Sequence, residues 1–203
     1  GRTWRVLEIN SEAKTIMVMP DKGGATPYFE NTGTAMVHSR IRQGMKEILL
    51  HSQGIPFLDA TAQKMLAEAR EYFRVSNLEN TFIREMGGST LLFTWQGDRV
   101  NNTLVLMLGS LGLDASNEGV HICISNSKKS ILHATVKKLL SNGIITPAQL
   151  LKEVKNLESE KWDWALPKTV LDKSYASVAL EIELAMDFLV KVLEETNINK
   201  VCN

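Results

Sequence analysis

The densest run of chemically capable side chains is Leu91-Leu92-Phe93-Thr94-Trp95-Gln96-Gly97-Asp98-Arg99-Val100-Asn101-Asn102-Thr103-Leu104. An apolar run ends in an aromatic residue, a glycine permits a tight turn, and a helical pattern opens with Arg99 and Asn101 in its first turn. The start of a helix carries unpaired amide N–H groups and the positive end of the helix dipole, which suits a phosphate. Arg99 adds a fork of donors, and Trp95 offers a flat surface on which a base can stack. The same residues admit a plainer account: Asp98 caps the helix, Trp95 is core and Arg99 pairs with a carboxylate. Chemistry alone favours the plainer account.

Other candidate chemistry is thinner. No glycine-rich loop ends in Gly-Lys-Ser or Gly-Lys-Thr, and Lys22-Gly23-Gly24 reads as a turn carrying a lysine. His38, His51, His121 and His133 lack zinc-type spacing; His121 and Cys123 share one face of a strand, but two ligands do not make a site. No Gly-x-Ser-x-Gly elbow is present. The expectation is a chain with no catalytic residues and no metal site. Lys128, Lys129, Lys137 and Lys138 form basic doublets that read first as a solvated face and second as a patch tracking phosphates.

The elements that must position these residues follow from patterning. Residues 3–9 and 14–19 read as a hairpin, and Asp21 to Gly33 as a loop. Met36, Val37, Ile41, Met45, Ile48 and Leu49 recur at helical spacing, which leaves His38, Arg40, Arg42 and Lys46 on other faces. Gly54 and Pro56 break that helix, and Asp59 caps a second with Ala62, Leu66, Ala69 and Phe73 on its apolar stripe. Thr81–Glu85 and Thr90–Trp95 flank a Gly87-Gly88 turn; Asp98 opens a helix; Val120–Ile124 alternates as a third strand. Ser127 is the expected cap of the next helix, Thr146-Pro147-Ala148-Gln149 is a capping box, and one final helix of roughly six turns is expected from near Tyr175.

The fold class is therefore α+β: an N-terminal β-hairpin and helix pair over 1–78, a small mixed or antiparallel sheet in a β-β-α-β unit over 79–126, and a helical part over 127–203. Together they read as one compact domain. The opening Gly1-Arg2-Thr3-Trp4-Arg5 runs straight into a strand, which suits a segment of a longer chain and equally a processed terminus. The 23 basic and 23 acidic residues balance, so no global field attracts a polyanion and any nucleic-acid contact must be local. Two cysteines are too few to staple 203 residues and suit a reducing cytoplasm, and no apolar run is long enough for a bilayer.

Three blocks carry a resemblance. Gly97-Asp98-Arg99-Val100-Asn101-Asn102-Thr103-Leu104 resembles the strand-turn-helix motif of large helicase-related (Lhr-like) proteins, in the Ski2-like branch of superfamily II DEAD/DEAH-type helicases. Lys161-Trp162-Asp163-Trp164-Ala165-Leu166-Pro167-Lys168-Thr169-Val170-Leu171, followed by Tyr175-Ala176 and Leu180-Glu181, is similar to a segment near the end of that family's core. Trp4-Arg5-Val6-Leu7-Glu8-Ile9 resembles the strand that begins the domain after its winged helix.

The resemblance implies a helicase-associated region excised from a longer, ATP-driven protein. Its partners would be single-stranded nucleic acid, two RecA-like motor lobes and the winged helix of the same polypeptide, with no membrane. ATP and Mg would belong to the motor lobes, because this chain lacks every motor motif and would hold no cofactor itself. The implied strand contacts are Trp95, Arg99 and Asn101, then Trp4 and Arg5. The alternative is an interdomain or protein-interaction scaffold whose apolar helix faces dock on the motor.

Overall fold

The computed structural model describes residues 3–22, 35–143, 145–154, 156–158, 160 and 162–201, with side chains to 195. Two compact units divide after Thr34. The expected 1–78 region is thus split, with the hairpin in the first unit and the helix pair in the second. The expected loop from Asp21 to Gly33 lies, beyond its first two residues, outside the described residues.

The first unit is an antiparallel hairpin of β1 (Thr3–Asn10) and β2 (Thr15–Asp21). A bulge between Val6 and Glu8 shifts the register, so Trp4 faces Pro20 and Val6 faces Val18, but Ile9 faces Ile16. An uninterrupted alternation would have put Ile9 opposite in phase to Trp4 and Val6. The extra residue rephases the strand and gathers Trp4, Val6, Ile9, Ile16, Val18 and Pro20 on one apolar face. Arg5, Glu8, Asn10, Thr15 and Asp21 fall on the other.

The second unit is built on a four-stranded antiparallel sheet of β3 (Ile83–Met86), β4 (Ser89–Phe93), β5 (Ala115–Asn117) and β6 (His121–Ile124), in the order β3-β4-β6-β5. The short strand β5 has no counterpart in the sequence reading; its three residues, Ala115-Ser116-Asn117, carry no apolar alternation. Gly87 and Gly88 take φ of 59° and 82° in the β3–β4 turn, as a tight hairpin requires.

Alternation along the strands makes two cores. Ile83, Leu92, Ile122 and Ile124 face a large cluster supplied by α3 (Asp98–Gly109), α4 (Lys129–Ser141) and α7 (Ile182–Val201), including Leu104, Met107, Val136 and Leu189. Leu91 and Phe93 face a smaller cluster with Leu78, Trp95 and Phe73, the last from α2 (Ala60–Val75). Sandwiched between both, β4 is buried along Leu91, Leu92 and Phe93.

Three helical expectations are corrected. Gly97, not Asp98, is the N-cap of α3, and Lys128, not Ser127, is that of α4. The final helix is two, α6 (Lys168–Ala179) and α7, broken at Leu180-Glu181. The break has a polar cause: the Glu181 N–H donates to Thr103 Oγ1 at 2.9 Å, and the Leu180 carbonyl accepts from Arg99 at 2.7 Å. The capping box at Thr146 and Gln149 forms as expected and opens α5 (Pro147–Leu150).

The first helix, α1 (Ser39–Leu50), is turned around relative to its pattern. Arg42 is buried, and Lys46 and Leu49 are half-buried, all on one face at spacings of four and three. Ile41, Met45 and Ile48 are exposed at 60%, 46% and 44%. The apolar stripe that should have faced the core faces outward.

Candidate functional site

The Trp95–Asn101 turn is where sequence chemistry and fold meet. After β4, the chain passes through Thr94 and Trp95, whose φ of 53° swings the backbone out of the strand and into Gln96-Gly97. Trp95 is 6% exposed. Its ring meets Phe73 edge-on at 5.8 Å and stacks with Phe93 at 6.3 Å, and its buried Nε1 has no partner. No face is left for a base. The expected stacking surface is a core residue.

Asn101 is fully buried and is the hub of a polar knot. Its Oδ1 accepts from Thr94 Oγ1 at 2.6 Å, while its Nδ2 donates to the Gly119 carbonyl at 2.6 Å and to Asn117 Oδ1 at 3.1 Å. Asn117 Nδ2 in turn donates to Asn102 Oδ1 and Asp98 Oδ1. Every donor and acceptor of the Asn101 amide group is engaged within the fold.

The start of α3 is also closed. Residues 37–39 lie across it: the Asp98 N–H donates to the Val37 carbonyl at 2.9 Å, the Val37 N–H returns to Asp98 Oδ2 at 2.7 Å, and the Gly97 N–H donates to Ser39 Oγ at 2.8 Å. A Cβ on Gly97 would stand 2.6 Å from the Ser39 nitrogen and 2.7 Å from the Val37 oxygen. Glycine is there so that a second backbone can pass, not so that a phosphate can. Arg42 completes the closure, donating to Asp98 Oδ1 at 2.5 Å and to the Gln96 carbonyl at 2.8 Å.

Asp98 is therefore the anion of this helix start. Burial pushes its pKa up, but the Val37 N–H, Arg42 and Asn117 donate to its carboxylate, and the net result lies below the ordinary carboxylate value. His121, beside the knot, packs its ring 5.1 Å from Phe93. Burial holds its pKa below the ordinary histidine value against the raising charge of Glu118.

Arg99 leaves the turn and reaches α6. It donates to the Ser177 carbonyl at 3.0 Å and to Leu180 at 2.7 Å, and lies 3.3 Å from Glu181. Its fork caps the end of one helix and holds the kink before the next. Trp4 and Arg5 are in the first unit, half or more exposed, with Arg5 paired to Asp21 at 2.9 Å.

The five expected contact residues thus divide between the two units. Three belong to the architecture of the second unit, and two are open on the hairpin. The sequence reading missed Arg42, Asn117 and Thr94 because their partners lie 7 to 56 positions away. Among the described residues no group of three or more His, Cys, Asp or Glu side chains could hold a metal, and no helix is long and apolar enough to cross a membrane. Comparison with protein-family models, curated proteins and solved structures finds no match.

Proposed function

We propose that this chain is an accessory region of an ATP-dependent helicase, serving as an interdomain scaffold that docks on the motor lobes or winged helix of its own polypeptide. The helicase assignment rests on the three sequence blocks. The scaffold role rests on one observation: α1 buries Arg42 and leaves Ile41, Met45 and Ile48 exposed. A contiguous apolar stripe left out of a packed unit marks an interaction surface. Arg42 is drawn inward by Asp98 and Gln96, so the polar knot itself turns the apolar stripe outward. ATP hydrolysis, with its magnesium, would belong to the motor lobes, in the cytoplasm.

A second reading, direct contact with the translocated single strand, is favoured by the exposure of Trp4 at 50% and of the Arg5 side chain at 66%. In this reading the hairpin replaces the Trp95 turn as the contact element, with Trp4 stacking and Arg5 reaching phosphate.

Two variants of the full-length helicase separate the readings. Ile41→Gln/Met45→Gln should leave the isolated chain as stable as the parent, because both side chains are exposed there. In the full-length protein it should lower the melting temperature and uncouple ATP hydrolysis from unwinding. Trp4→Ala/Arg5→Ala should leave oligonucleotide affinity unchanged. The opposite pattern, a silent helix variant and a hairpin variant weakened by tenfold or more, would replace the scaffold with strand contact.

A further inference from the structure

A second helix start, on the far side of the sheet's β3–β4 turn, is open where that of α3 is closed. A cavity of about 470 Å³ lies beside the segment that leads into α4, walled by Glu85, Gly87, Gly88, Asn126, Ser127 and Lys128. α4 has thirteen residues, and its N-cap, Lys128, supplies no side-chain acceptor to the amides of the first turn. Ser127 is 4% exposed, and its Oγ is buried without a hydrogen-bond partner. Its position is fixed through its carbonyl, which accepts from Thr90 Oγ1 at 2.8 Å. Gly87 and Gly88 bring backbone and no side chain to the rim.

A buried hydroxyl without a partner and a lysine line one cavity beside the positive end of a helix. We propose that this cavity binds a phosphate group. One phosphate offers acceptor oxygens to both side chains at once, and helix starts favour anions. The volume exceeds what a bare phosphate fills and falls within the range of ligand pockets, so the group it suits is a phosphate ester.

Glu85 is the one opposing feature, and its geometry supports the assignment. Its Oε1 accepts from the Lys129 N–H at 2.5 Å, so an exposed side chain already places an anion at this helix start. Lys128, Lys129 and about half a positive charge from the helix end outweigh that carboxylate by roughly 1.5 charges. The site remains positive with Glu85 in place, and Glu85 acts as an internal competitor. The inference does not depend on the helicase assignment.

The test is an amide-resolved NMR titration of the chain with inorganic phosphate, against sodium chloride at matched ionic strength. Phosphate should shift the Ser127, Lys128, Lys129 and Ser130 amides saturably, and chloride should not. Lys128→Gln should weaken binding roughly two- to five-fold, and Glu85→Gln should tighten it by a similar factor. Both side chains are exposed, and a glutamine oxygen can still accept from the Lys129 N–H, so folding is retained. A parallel titration with a thymidine octamer identifies the source. The same amides shifting points to a nucleic-acid backbone, and a response to phosphate alone points to a small phosphate ester. Equal responses to phosphate and chloride, no response to phosphate or octamer, or affinities indifferent to both substitutions would overturn the assignment.

Discussion

Replacing Trp95 with alanine separates a core residue from a contact residue, and the expected cost can be worked from its surroundings. Deleting a buried tryptophan side chain costs about 3–5 kcal/mol, through lost transfer energy and the cavity left behind. The two ring contacts, to Phe73 and Phe93, add about 0.5–1.5 kcal/mol each beyond area burial. Against this, the mutation removes the unpartnered Nε1 donor, whose burial costs about 1–3 kcal/mol. Taken at their centres, the terms leave Trp95→Ala destabilising by roughly 4 kcal/mol. Trp95→Phe keeps a ring between the same neighbours and also removes the orphaned donor, so its cost should stay under about 1.5 kcal/mol. Urea unfolding of parent and both variants, followed by circular dichroism, gives the ranking. A Trp95→Ala midpoint indistinguishable from the parent would refute the core assignment. So would an oligonucleotide affinity lost at undiminished stability, because that is the signature of a side chain facing a strand.

Two further outcomes follow from the same turn. Gly97→Ala forces a methyl group onto the Ser39 and Val37 backbone and should cost about 1–3 kcal/mol in the same assay, whereas Gly109→Ala, with open space around its Cβ, should be neutral or better. His121 and Asp98 both titrate below their ordinary values, so each binds its proton more weakly folded than unfolded. Their stabilising contributions are complete above the unfolded pKa and are lost as pH falls through the folded one. For His121 the loss begins below about pH 6.5, and for Asp98 below about pH 4. His121→Phe should therefore flatten the fall in stability between pH 7 and 5 and leave the more acidic fall intact; an unchanged profile would remove His121 from the account.

How much of this was legible in the sequence depends on the range over which each determinant acts. Local signals read well. Gly87-Gly88 demanded a hairpin, Thr146 and Gln149 built their capping box, and the alternation through His121–Ile124 gave a strand. Signals completed by distant partners did not. Nothing near Arg42 marks it as buried, since the carboxylate that draws it in is 56 residues away. The kink at Leu180 was invisible for the same reason: Thr103 and Arg99, which interrupt the helix there, are more than 75 residues upstream. In the hairpin, strict alternation from Trp4 and Val6 would set Ile9 on the wrong face, because the bulge shifts the phase of β1.

The contrast between the two helix starts shows why a motif's composition underdetermines its chemistry. A short polar turn and a basic residue stand before or within the first turn of both α3 and α4. At α3 the carboxylate belongs to the helix itself: Asp98 is one residue past the cap and is held by the Val37 N–H, Arg42 and Asn117. The positive end is neutralised from within, a neighbouring segment covers it, and a ligand would have to displace a partly buried ion pair. At α4 the carboxylate comes from Glu85, an exposed side chain on an edge strand that can rotate away without uncovering anything buried. The arginine at α3 is spent on helix carbonyls, whereas Lys128 at α4 lines an open cavity. What distinguishes an architectural helix start from a binding one here is the burial and origin of its counter-charge. The distinction is set by residues 44 and 56 positions away, and the local motif does not contain it.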